Sequence, residues 1–208
     1  MLDSPVRGFP VGEFEARLER LHKLMSTKGL AGILLMSEPE VRYFTGFLTQ
    51  FWQSPTRPWF LFIPVDKKPI AVIPEIGAAL MRTTWIDDIR TWGAPWPKDD
   101  GISLLQDLLD PLLKSGARLG VMKGHETSLR MPLGDYERLM SGLAGIEVVD
   151  ATDILRNLRM VKSAAEIEKI AYICGITSRT FARAGDIFHK GQSLAEAFRA
   201  FRIECLTQ

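Results

Sequence analysis

The sequence predicts an α/β domain, a mixed sheet of about five or six strands flanked by helices, followed by a helical extension. Three observations lead there. Short apolar runs alternate with helix-period segments through about residue 150. Two of those runs, 59–64 and 70–74, are joined by a short connection carrying Asp and Lys, as an antiparallel pair requires. No strand candidate follows Ala151, where Ser163 with Glu166 and Ser193 with Glu196 form two successive capping boxes.

Taken in order, Phe14, Leu18, Leu21 and Met25 recur at helical spacing over 12–28, and Gly29 supplies the stop. The run 31–37, bounded by Gly29 and Pro39, is too short and too apolar for a helix and reads as a buried strand. A helical turn is predicted over 40–46, then strands at 59–64 and 70–74, a short helix over 77–84 and a strand over 86–92. Leu104, Leu105, Leu108, Leu109 and Leu112 share one side of a helix predicted over 102–115. A strand at 118–122, a helix starting at Pro132 and ending at Met140, and a strand at 146–149 complete the alternating part. The first capping box opens a helix expected to reach Lys190 and Gly191, with Ile167, Ile170, Cys174, Phe181 and Ala184 on one stripe. The second opens a helix from Leu194 to Gln208, whose Phe198, Phe201 and Cys205 continue an apolar face that needs a partner; the chain is expected to be cut off there.

Composition narrows the function classes. The 208 residues are 46% apolar and 25% charged, enough for a real core and for between one and two domains. With 26 Lys plus Arg against 25 Asp plus Glu and no local basic patch, nucleic acid is not an expected partner. The longest apolar stretches, 30–36 and 59–65, are about a third of the roughly 20 residues a membrane helix needs, so no membrane partner is expected. The first twenty residues carry acids and two prolines in place of a signal sequence's apolar region. Cys174 and Cys205, the two cysteines, lack metal or disulfide spacing and read as small core hydrophobes, so a cytoplasmic location is expected.

The chemistry-bearing residues are sparse. No zinc-protease pattern, nucleophile elbow, phosphate loop or dinucleotide fingerprint occurs. His22 reads as solvated surface on the first helix, and His189 as a cation in a helix's last turn. His125 beside Glu126 in a post-strand loop is open to a catalytic or a structural reading. Asp87 with Asp88, and Asp99 with Asp100, read as solvated charge. Trp52 and Arg57 stand apart, because a loop with a large aromatic and a planar cation holds two residue types enriched in recognition sites.

Three phrases in order resemble a known family. Glu40-Val-Arg-Tyr-Phe-Thr-Gly-Phe47 is similar to the Asn-Ile-Arg-Tyr-Leu-Thr-Gly-Phe phrase of the pita-bread metallopeptidases, which comprise aminopeptidase P, prolidase and their relative creatinase. Leu158-Arg159-Met160-Val161-Lys162-Ser163, followed by Glu166 and Ile167, resembles the segment joining their amino-terminal domain to the catalytic half. Lys190-Gly191-Gln-Ser193-Leu-Ala-Glu196 resembles the start of the catalytic half's second helix. The resemblance implies a creatinase-like amino-terminal domain over 1–155, then a linker and the first helices of a truncated catalytic domain over 156–208. It implies a homodimer, a peptide or small amide substrate, and two divalent metals (manganese, cobalt or zinc) in a full-length peptidase. Their ligands would lie beyond residue 208, so no metal ligand and no catalytic residue is assigned here, and the chain alone is expected to lack peptidase activity.

The resemblance also bears on Trp52 and Arg57. In creatinase an aromatic and an arginine shortly after a Tyr-Tyr-Ser-Gly phrase touch substrate. Tyr43-Phe44-Thr45-Gly46 resembles that phrase, and Trp52 and Arg57 follow at a similar distance, with Pro55 and Pro58 marking a small insertion. They are therefore the expected substrate-binding residues. Burial of Trp52 at a dimer contact, with Arg57 paired to a local acid, stands as the alternative. For the whole chain two further readings stay open, a free-standing non-catalytic dimerisation or binding module and part of a creatinase-like amidinohydrolase.

Overall fold

Every residue of the first three strands, β1 (Gly32–Leu35), β2 (Phe60–Pro64) and β3 (Ile70–Pro74), is buried, as apolar runs without alternation require of a sheet covered on both faces. β4 (Asp88–Trp92), β5 (Arg118–Val121) and β6 (Glu147–Asp150) complete a six-stranded sheet in the order β4-β3-β2-β1-β5-β6. β1 pairs antiparallel with β2 and β2 with β3, while the pairs β3–β4, β1–β5 and β5–β6 are parallel, so the sheet is mixed as expected. The computed structural model describes residues 4–54 and 57–208; Pro55 of the expected insertion lies outside them. They form two compact units, residues 8–160 and, separately, the chain start up to Arg7 with residues 161–208.

In the larger unit the two-residue period of the strands sorts the core. Ile33, Leu35, Leu61, Ile63, Ala71 and Ile73 belong to one apolar cluster, which α1 (Val11–Thr27), α2 (Glu38–Thr45) and α6 (Thr152–Met160) cover with Leu21, Phe44 and Leu155 among others. Leu34, Phe60, Phe62 and Val72 belong to the other, covered by α4 (Ile102–Leu109) and α5 (Leu133–Gly142) through Leu105, Leu108 and Leu139. α3 (Ala78–Met81) follows a 3-10 turn over Glu75–Gly77. Gly77 has no substitute there, since a Cβ would stand 2.3 Å from the Trp59 ring.

Several elements differ from expectation for identifiable reasons. The helix predicted over 102–115 stops at Leu109, because Pro111 has no N–H to continue it. α6 was not expected at all; its apolar set, Ile154, Leu155 and Leu158, is too short to show a period beside the strand that precedes it. Asp99 is half-buried rather than solvated: its Oδ1 accepts from the Ile102 and Ser103 N–H groups at the start of α4 and from Arg138 at 2.9 Å. Burial pushes its carboxyl up, but the Ser103 hydroxyl, which donates to Oδ2, together with those N–H groups and Arg138 holds it below the usual range. His22 is half-buried, not surface, since it sits one residue from Leu21 and four from Leu18 and edges onto the buried stripe.

The smaller unit is helical, as expected. In both capping boxes the bonds are reciprocal: Glu166 and Glu196 N–H groups donate to Ser163 and Ser193 Oγ, and the Ser N–H groups donate back to the Glu carboxylates. They open α7 (Ala164–Ala182) and α9 (Leu194–Thr207). The first helix does not run to Lys190. It breaks at Arg183, and α8 (Ala184–Ile187) follows with Gly185, a poor helix former, inside it. His189 therefore lies beyond a helix rather than in its last turn, its N–H donating to Gln192 Oε1 at 3.1 Å. Phe201 joins the helices, its ring 4.8 Å from Phe181 and 6.1 Å from Phe188.

Ile167, Ile170, Phe181 and Phe198 nevertheless remain exposed, and so does Cys174, contrary to its reading as a core residue. Six side chains including Phe181, Phe188, Leu194 and Phe198 line a wholly apolar groove of about 250 Å³. Such a surface favours association. The 208-residue chain is expected to sediment as concentration-dependent oligomers in analytical ultracentrifugation. A monomer at every concentration, with slow amide exchange across residues 165–205, is the opposite result.

Candidate functional site

The candidate substrate loop begins where α2 ends. Gly46 takes the left-handed conformation (φ 75°) that stops the helix, and Thr45 Oγ1, accepting from the Phe47 N–H at 2.9 Å, turns the chain back towards the sheet. A 3-10 turn over Gln50–Gln53 follows, with Thr49 Oγ1 accepting from the Phe51 N–H. Here Trp52 is 7% exposed, its ring 6.3 Å from that of Phe47 and 5.7 Å from that of Trp59. Phe51 stacks on Trp59 from the exposed side, with centroids 6.4 Å apart. Four aromatic side chains thus fasten the loop to the first core cluster.

Arg57 is half-buried, close enough to Asp100 to act on its carboxyl electrostatically. Burial raises the Asp100 carboxyl above its usual range, Asp135 adds to this, and the Arg57 guanidinium opposes it. Trp52 and Arg57 are bridged by a residue that motif reasoning passed over. The Arg130 guanidinium lies 5.1 Å from the Trp52 ring centroid and donates to the carbonyls of Trp52 at 2.8 Å, Arg57 at 3.1 Å and Ser54. No motif marks it; it lies between Leu129 and Met131, whose side chains pack against the second core cluster.

A second charged group links two distant phrases. Arg159 Nη1 donates to Glu40 Oε1 at 2.7 Å, and the Glu40 side chain is 7% exposed. Burial raises the Glu40 carboxyl, with Arg159 opposing. The pair borders a cleft of about 340 Å³ outside the carboxyl ends of the parallel strands β1 and β5, lined among others by Ser37, Thr127 and Arg156. The helices that follow these strands, α2 and α5, go to opposite faces of the sheet, the usual setting for a crevice. Its two arginines are matched by Glu40 and Glu126, which leaves no net charge to select an ion.

The sequence profile of the creatinase/prolidase N-terminal domain matches residues 17–161, a span that holds all six strands and the Glu40–Arg159 pair. The chain belongs to the creatinase/prolidase N-terminal domain family. Creatinase of Bacillus sp. (strain B-0618) is 26% identical over 191 residues, covering 92% of this chain and 42% of its own length. Probable dipeptidase PepE of Mycobacterium tuberculosis (strain ATCC 25618 / H37Rv) is 24% identical over 191 residues, covering 91% and 48%. The chain thus spans about half the length of the curated relatives it matches. Among solved structures, prolidase from Thermococcus sibiricus superposes with a TM-score of 0.79 at 17% identity, over 95% of this chain and 50% of its own. Dipeptidase PepE from Mycobacterium ulcerans gives 0.73 at 24%, over 96% and 50%. These likenesses establish the fold.

The other sequence candidates of this creatinase/prolidase N-terminal domain take surface or capping positions. His125 is exposed, with Nδ1 4.0 Å from Glu126 Oε1, and its carbonyl accepts from Arg156. Asp150 caps α6, its Oδ1 accepting from Thr152 N–H and Oγ1. Asp87 and Asp88 stay at the surface, paired with Lys68 and Arg90. Among the described residues no three His, Cys, Asp or Glu are grouped to hold a metal ion, so they do not fit the metal pair that the family resemblance implies.

Proposed function

We propose that this chain is the substrate-capping, dimer-forming part of an X-Pro dipeptidase or aminopeptidase. The observation that carries the reading is the match of the creatinase/prolidase N-terminal domain over residues 17–161, in a chain that spans about half of its dipeptidase relatives. Residues 1–155 are the capping domain, and 156–208 are the linker and first helices of a pita-bread catalytic domain. A division near this point is supported by the separate packing of 8–160 and 161–208, which keeps all of α6 with the first unit and so falls five residues later, and by the exposed apolar face of the later helices. The metal pair (manganese, cobalt or zinc) belongs to residues outside this chain.

The chain's own contribution is to bind and orient. In a homodimer the loop carrying Trp52 and Arg57 reaches the neighbouring subunit's site. Arg57 pairs with the carboxylate of a short X-Pro peptide, while Trp52 backs the loop and closes that side to water. A planar guanidinium suits a carboxylate because two parallel N–H groups meet its two oxygens. The cytoplasm fits two free cysteines, one of them exposed, and among the described residues no helix is long and apolar enough to cross a membrane.

The test is hydrolysis. The complete gene product is expected to cleave an X-Pro dipeptide and to lose that activity to a chelator, whereas the 208-residue chain cleaves nothing. Turnover of creatine in place of X-Pro dipeptides moves the assignment to an amidinohydrolase. No turnover of either favours a non-catalytic module.

A further inference from the structure

We propose that Arg130 is the positioning residue of the substrate loop, fixing the carbonyls of Phe51, Trp52, Ser54 and Arg57 so that Arg57 is presented to a substrate carboxylate. The proposal rests on the reading that this loop faces substrate.

The geometry is that of a clamp. From 73 to 79 residues downstream, one guanidinium reaches the loop from its own side of the fold and donates to carbonyls at both ends of it: Phe51 at 3.4 Å, Trp52 at 2.8 Å, Ser54, and Arg57 at 3.1 Å. Within the loop itself, the turn has local bonds at Thr49 and between the Ser54 N–H and Phe51 O at 3.0 Å. Arg130 adds a tie shared by the turn and Arg57. Its ring contact with Trp52 sets the guanidinium against the aromatic anchor, so the same group fixes both the side-chain base and the backbone rim.

Arg130 is itself held. Leu129 and Met131, its chain neighbours, pack against the cluster formed by the sheet with α4 and α5, whereas Trp52 belongs to the cluster on the opposite face. The loop is thereby referred to both halves of the core. A lysine cannot do the same work, because its compact ammonium lacks the planar fork that serves several fixed acceptors at once. The carbonyl of Arg57 is among those acceptors, which makes Arg130 control where the Arg57 side chain starts.

A double-mutant cycle separates positioning from general support of the fold. In the complete gene product, Arg130→Gln is expected to raise KM for an X-Pro dipeptide about tenfold with kcat little changed. Arg130→Lys should fall between. On an Arg57→Ala background, Arg130→Gln should add less than about twofold, because the residue it positions is already gone. In the 208-residue chain, Arg130→Gln should speed exchange of the Ser54 amide while amides of β1 and β2 stay protected. Multiplying, independent effects of the two substitutions on KM overturn the proposal, as does unchanged exchange at Ser54. Should Arg57→Ala alone leave KM unaltered, the substrate-side reading fails and Arg130 loses its positioning role, even where Ser54 exchange accelerates.

Discussion

Trp59→Ala is expected to lower the unfolding free energy of the 208-residue chain by about 3–5 kcal/mol, the range for emptying a fully packed aromatic site. Trp59 is among the largest fully buried side chains, and three other rings lean on it: Phe47 at 5.3 Å, Trp52 at 5.7 Å and Phe51 at 6.4 Å. Gly77 closes against its far edge, so the backbone cannot collapse into the space without moving α3 as well. The loss should therefore reach beyond the cavity and free the turn that carries Trp52. Urea unfolding of the two proteins, followed by far-UV circular dichroism, measures the difference. A change below about 1 kcal/mol would mean that the aromatic group adapts and does not anchor the loop.

Much of the sheet is legible in the sequence because its strands are buried on both faces. The runs at 59–64 and 70–74 contain no charge and are bounded by Pro and by an Asp-Lys connection, so their antiparallel pairing follows directly, with the first strand starting one residue later, at Phe60. The capping boxes at Ser163 and Ser193 are equally plain, since a side chain three residues from its partner can satisfy a helix's free N–H groups without tertiary help. What sequence reasoning loses is decided by neighbours from far along the chain. Asp99 looks solvated until Arg138, 39 residues away, closes on it. His22 looks like surface because four-residue periodicity does not say how wide a buried stripe is. Cys174 looks like core because its stripe is apolar, yet nothing among the described residues covers it.

The candidate site divides in the same way. Trp52 and Arg57 stand out by residue type in a proline-flanked loop, and that much needs no structure. Arg130 does not stand out, since four loop carbonyls carry no sequence signature and an arginine between Leu129 and Met131 resembles any surface cation. Glu40 and Arg159 were each part of a phrase that carried the family resemblance, but their ion pair across 119 residues appears only in the fold. That pair ties the first phrase to the helix that leads into the second unit.

In the proposed function, the loop bearing Trp52 and Arg57 serves the active site of a partner subunit. Arg57→Ala in the complete gene product is expected to lower kcat/KM for an X-Pro dipeptide about tenfold or more, the size of a lost charge-assisted hydrogen bond, with the dimer intact. Subunit mixing makes the test direct. When Arg57→Ala subunits are mixed with subunits whose own catalytic half is inactivated, the heterodimer holds one competent site served by an unaltered loop. Its kcat/KM per competent site should return to the wild-type value. Heterodimers that form, yet keep the low value of the Arg57→Ala homodimer, would mean that the loop does not serve the partner's site.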